Sequence, residues 1–227
     1  MNDTAASFEQ RGKLTRGAAM ASVAVASILL LLKAYALWGT QSVAVLGWLA
    51  DTTLDLVASI VTLLGVHWAA QPADQQHRFG HGKAEALASL FQVTLIGMAA
   101  LGLAGESVHR LLTGVHATAG AGEGIGVSLI AIVLSLALVL YQKRVIARTG
   151  SLAIGTDNLH YKSDFYLNLS VIVALVLDQY LGVKGADALF GVGIALWLGW
   201  NAWHAAGEAV DHLMDKEWSL AERQHFL

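Results

Sequence analysis

The sequence predicts an all-α polytopic membrane protein of six transmembrane helices, with the N- and C-termini in the cytoplasm. Three observations carry that prediction. Apolar residues make up 56% of the chain and charged residues only 14%, where a soluble domain carries about a quarter charged. Six apolar runs reach the roughly 20 residues that a spanning helix requires. The Lys and Arg residues gather almost entirely on one side of those runs.

The runs fall at about 17–38, 42–67, 84–112, 122–147, 152–181 and 185–210. The first is preceded by MNDTAASFEQRGKLTRG, which carries Asp3 and Glu9, and is too long for a signal-peptide core, so it reads as a retained span. A short turn at 39–41 leads to the second run, and the loop 68–83, which contains the single proline (Pro72), leads to the third. A Gly-rich stretch at 114–126 precedes the fourth, a basic stretch at 142–151 the fifth, and a short link at 182–184 the sixth. Alternate connections then hold Arg11, Lys13, Arg16, Arg78, Lys83, Lys143, Arg144, Arg148, Lys216 and Arg223 on one side, against Arg110 and Lys184 on the other. The basic side faces the cytoplasm. Lys33 and Lys162 fall inside spans. The absence of Cys excludes disulfides, thiolate metal sites and Cys nucleophiles. No basic stripe suggests a nucleic-acid partner.

Two of the spans carry ionisable pairs at the same spacing: Asp51 and Asp55 in the second, His160 and Asp164 in the fifth. Residues four apart share one helix face, about 6 Å from each other. Asp51 lies about 14 Å and Asp55 about 20 Å from the outer end of the second run, at 1.5 Å per residue. His160 lies about 12 Å and Asp164 about 18 Å from the inner end of the fifth. In a core about 30 Å thick, antiparallel neighbours bring all four side chains together near the midplane. Ionisable groups at that depth mark function by default, although a lone intramembrane Asp also serves as a hydrogen-bonding device between helices. Three carboxylates and an imidazole suit a divalent first-row ion such as Zn²⁺, with Cd²⁺, Fe²⁺, Co²⁺ and Mn²⁺ as alternatives. Metal binds only deprotonated ligands, so loading releases H⁺, with His160 as the natural group to exchange it. A cage reachable alternately from each side would exchange metal for protons.

Other groups surround this cage in the sequence. Asp157 precedes His160 by three residues on the same face, either as a stepping stone for the ion or as a surface carboxylate. Lys162 is about 200° around the helix from His160 and points away. In the loop QPADQQHRFGHGKAEALASL, Asp74, His77 and His81 form either a second metal site or an incidental surface grouping. FGHGK lacks the upstream Gly and following Ser/Thr of a phosphate loop. His67, His109, His116, His204, His212 and His225 look isolated, at helix ends and in loops. An intramembrane metal-dependent hydrolase is the main alternative to a metal exporter, but HExxH is absent and four protein ligands leave no position for an activated water. A haem-binding electron carrier would need paired His on facing spans, which are missing.

SVAVLGWLADTTLDLVASIV, QPADQQHRFGHGKAEALASL and DNLHYKSD together resemble the second helix, signature loop and fifth helix of the cation diffusion facilitator family, in its bacterial zinc/iron efflux branch. The resemblance runs from about residue 14 to 215. It implies a homodimeric six-helix antiporter in the inner membrane, moving Zn²⁺ out of the cytoplasm against inward protons by alternating access. It further implies that Asp51, Asp55, His160 and Asp164 form the transport site, that Asp74, His77 and His81 form a loop metal site, and that Lys83 and Asp215 form an inter-subunit charge interlock. Members of this branch usually continue into a ferredoxin-like cytoplasmic domain. Here residues 1–215 are expected to form the transmembrane domain and 216–227 a short cytoplasmic stub. The Lys within HYKSD departs from the more usual neutral residue.

Overall fold

The computed structural model describes residues 2–40, 43–113, 123–181 and 185–216. Lys184, Arg223, His116, His225, most of the Gly-rich connection and the stub from 217 lie outside the described residues. The described residues form six helices: α1 (Asn2–Thr40), α2 (Val43–Ala69), α3 (Lys83–Thr113), α4 (Glu123–Thr149), α5 (Leu152–Leu181) and α6 (Ala186–Leu213).

Each helix covers one expected run. The largest departure is α1, which starts some fifteen residues before the apolar stretch. Nothing in residues 2–16 breaks a helix, and Lys13 pairs with Glu9 one turn back at 2.7 Å. Four helices carry a described stretch long and apolar enough to cross a membrane: Glu9–Tyr35, Asp51–Ala69, Lys83–Thr113 and Ser128–Thr149. The fifth helix dilutes its apolar run with Asp157, His160, Lys162 and Asp164, and the sixth with Asn201 and His204.

The turns are set by local chemistry. Gly150 adopts φ +65°, a left-handed conformation that ends α4. Ser151 then caps α5, its Oγ accepting the Ile154 amide at 3.4 Å and donating to Glu85 Oε2 of α3 at 2.6 Å. Gly185, at φ +88°, opens α6.

The helices pack as two groups. The first joins α1 to α2 and α4, and α4 to α5; the second is the α3–α6 pair, which meets the first through α2 and α5. Small residues line the contacts, with Ala18, Ala19, Ala88 and Ala153 forming one core with Val66, Val145 and Ile154. A second core joins Val93, Ile96 and Ala100 of α3 to Leu198 and Ala202 of α6. Close approach through small side chains is the usual packing of helices in lipid. The outer surface is apolar, with Leu31, Leu101, Leu196 and Trp203 between 70% and 78% exposed. Ser22, Gln92, Gln142, Asp157 and Asn158 are fully buried instead. An apolar exterior with polar side chains buried among the apolar cores differs from a water-soluble bundle, and it fits lipid as the surrounding solvent.

Two charged contacts join α3 to α6, one at each end. Lys83 Nζ reaches Asp215 Oδ2 at 2.8 Å and the Leu213 carbonyl at 3.0 Å, and Arg110 reaches Asp187 at 3.0 Å and Glu106 at 2.7 Å. Lys83 and Asp215, the two residues expected to form a charge interlock, lie in contact within the chain. Both are exposed, so the contribution of the pair is about 0–1 kcal/mol.

Gly65 of α2 marks the tightest backbone approach between the two groups: an added Cβ would lie 2.5 Å from the Ala88 Cβ and 3.0 Å from the Ala84 carbonyl. Gly65→Val should therefore overpack this contact by about 1–3 kcal/mol and lower the melting temperature in detergent. Gly155→Ala, with open space around the position, should melt close to the parent. Equal melting of the two variants would contradict this packing.

Candidate metal centre

At the facing surfaces of α2 and α5, three of the four predicted ligands converge. One ligand atom each from Asp55, His160 and Asp164 lies within 4.8 Å of the others. His160 Nε2 is 2.9 Å from Asp55 Oδ1 and 3.7 Å from Asp164 Oδ2. Bonds of about 2.1 Å at the tetrahedral angle place ligand atoms about 3.4 Å apart, a separation that these two distances bracket. All three side chains are mostly buried, between 14% and 27% exposed. The level match of Asp55 with His160 follows from helix rise in opposite directions, and the 2.9 Å contact is its result.

Asp51 stands apart. It is exposed and lies outside the three-residue cluster, one turn from Asp55 along α2. Among the described residues the cluster thus comprises Asp55, His160 and Asp164, with the Asp51 carboxylate one turn away along α2.

His160 is held from behind. Its ring meets the Tyr161 ring edge-on at 5.6 Å, and Ser163 Oγ donates to its carbonyl at 2.5 Å. Tyr161 is buried, donates its hydroxyl to the Ser22 carbonyl at 3.0 Å, and lies 3.0 Å from Ser59 Oγ. One turn inward, Asp157 is completely buried, which overturns the surface-carboxylate alternative. Ser22 Oγ donates to it at 2.5 Å, Gln142 Nε2 at 2.6 Å and Gln92 Nε2 at 2.8 Å. Asn158 extends the knot, donating to Gln142 Oε1 and the Val139 carbonyl at 3.1 Å each. These bonds tie α1, α3 and α4 to α5 beside the cluster, and satisfy a carboxylate that would otherwise be very costly to bury. Lys162 is half-buried on α5 and takes no part in the cluster.

Sequence reasoning missed the donors around Asp157. Gln92 and Gln142 within apolar runs were the available signal, since polar side chains at membrane depth need partners. It also left Lys33 without a partner: its Nζ donates to Thr52 Oγ1, the residue after Asp51.

The loop cluster also assembles. Asp74 accepts the amides of Gln76 at 2.8 Å and His77 at 2.5 Å, making a tight turn. The backbone hydrogen bond from His77 holds its carboxyl below the usual carboxylate range. That turn sets Asp74 Oδ1 3.4 Å from His77 Nδ1 and Oδ2 3.5 Å from His81 Nε2, with the two rings 4.5 Å apart. His81 Nδ1 is buried without a hydrogen-bond partner. Three potential ligand atoms again lie within 4.8 Å.

The chain matches the family model of the cation efflux transmembrane domain over residues 19–214. It is 42% identical over 222 residues to the cation-efflux pump FieF of Cronobacter sakazakii, covering 94% of this chain and 70% of that protein. It is 44% identical over 216 residues to the cation-efflux pump FieF of Klebsiella pneumoniae, covering 95% of this chain and 71% of that protein. The same coverage holds at 42% identity for the cation-efflux pump FieF of Salmonella newport. The chain belongs to the cation efflux (cation diffusion facilitator) family, and is a multi-pass inner-membrane transporter of metal cations.

Proposed function

We propose that this transporter exchanges cytoplasmic Zn²⁺ for protons by alternating access, with Asp51, Asp55, His160 and Asp164 holding the ion in transit. The convergence of Asp55, His160 and Asp164 on facing helices is the observation that carries this reading. A carboxylate–imidazole set of that size favours zinc over calcium or magnesium, which take more oxygens. Every ligand must lose its proton before it binds metal, so arrival of the cation expels protons and its departure admits them. His160 Nε2 and Asp55 Oδ1, 2.9 Å apart, are close enough to turn toward one shared ion.

All six helices span the bilayer in this account, with both termini cytoplasmic and residues 1–215 forming the transmembrane domain. Positive-inside bias supports that orientation. The basic side also carries the loop cluster of Asp74, His77 and His81, which would capture Zn²⁺ at the cytoplasmic mouth. Asp157 serves the site by fixing α5 and not as a ligand. The working unit is a homodimer, built through the membrane helices.

In sealed proteoliposomes with an imposed pH gradient, Asp55→Ala and His160→Ala should each abolish zinc movement while elution and melting stay near the parent's. Undiminished transport by either variant would sink the site assignment, and transport indifferent to the pH gradient would sink proton coupling. For the loop, Asp74→Ala should remove one class of bound zinc in calorimetric titration and leave the class that Asp55→Ala removes. Loss of both classes in Asp74→Ala would show that the loop does not form a separate site.

A further inference from the structure

Lys33 lies inside the first apolar run, where an ammonium without compensation is costly. It is half-buried on α1, and its Nζ donates to Thr52 Oγ1 across the α1–α2 contact. Thr52 is buried, follows Asp51 directly, and precedes Asp55 by three residues. The bond therefore anchors a positive charge beside the acidic rim of the metal cluster.

Formal charges explain what such an anchor does. Asp51, Asp55 and Asp164 supply three negative charges when ionised, and a neutral His160 supplies none. Alone, they would leave a divalent ion in a site that is still negative, deep in a medium where net charge is expensive. Adding one ammonium brings these four ligands and the bound ion to a sum of zero, with Asp157 outside the count, held one turn away on its own donors. The same positive charge weakens attraction for the ion, which helps a carrier that must release its cargo.

We propose that Lys33 is the fixed counter-charge of the transport site, tuning it so that one divalent cation brings it to neutrality. This rests on the site assignment made above, and adds a residue from a third helix to it. Lysine suits the task because its charge sits at the end of a long flexible stem anchored away from the ligands.

The test is Zn²⁺ titration calorimetry on the full chain, with Asp74→Ala in every variant so that the intramembrane site is read alone. Mildly alkaline pH limits competition from protons. Lys33→Gln keeps a donor for Thr52 and removes the charge, Lys33→Met removes both, and Lys33→Arg keeps the charge. Both neutral variants should bind zinc about tenfold more tightly or better, release it more slowly in vesicle efflux, and leave Lys33→Arg close to the parent. If Lys33→Met fails to fold, Lys33→Gln decides alone. Parent-like affinity in Lys33→Gln, or equal weakening in all three variants, would overturn the counter-charge and leave a merely structural bond to Thr52. Unchanged binding in Asp55→Ala would instead overturn the site itself, and the counter-charge with it.

Discussion

The fold is organised around one constraint: a carboxylate at membrane depth must be given partners, because lipid offers none. Asp55 meets His160 at 2.9 Å, and Asp164 stands 3.7 Å from the same ring nitrogen. Asp157 receives three neutral donors from three helices. The two solutions serve different ends. Neutral donors on every side give Asp157 a fixed place, whereas a single imidazole shared by two carboxylates can be displaced by an incoming cation. The former ties α1, α3 and α4 to α5, and the latter joins α2 to α5.

That division explains where the small residues fall. Ala18, Ala19, Ala88 and Ala153 let the helices approach closely enough for side chains as short as Ser22 to reach Asp157. Gly65 allows α3 the same approach to α2, bringing Gln92 within 2.8 Å of that carboxylate. Contacts at both ends of the α3–α6 pair are charged, exposed at the Lys83 end and half-buried at the Arg110 end, so they guide its alignment more than they stabilise it.

Much of this was legible in the sequence. Helix count and borders follow from apolar length, and from the glycines and serine that end one helix and begin the next. The i, i+4 spacing of Asp51 with Asp55 and His160 with Asp164, taken with helix rise, set Asp55 level with His160, where the two side chains meet. Illegible parts depend on rotation and on neighbours. Asp157 shares a face with His160, yet whether that face meets water or other helices depends on where α1, α3 and α4 sit. Asp51 shares a face with Asp55, but one turn of helix moves it to an exposed rim. Lys33 was visible as a charge within a span, while its link to Thr52 depends on the relative rotation of α1 and α2. The loop turn is the opposite case: Asp74 caps its own turn through neighbouring amides, so its geometry is local and its spacing sufficed.

The central claim is that the transported ion is bound by carboxylates and one imidazole between α2 and α5. X-ray absorption at the zinc edge reads that shell directly, on zinc-loaded protein carrying Asp74→Ala. The expected result is a four-coordinate shell of oxygen and nitrogen at about 2.0–2.1 Å, with a single imidazole signature that disappears in His160→Ala. A shell of oxygen alone in the parent, or an imidazole signature that survives His160→Ala, would contradict it.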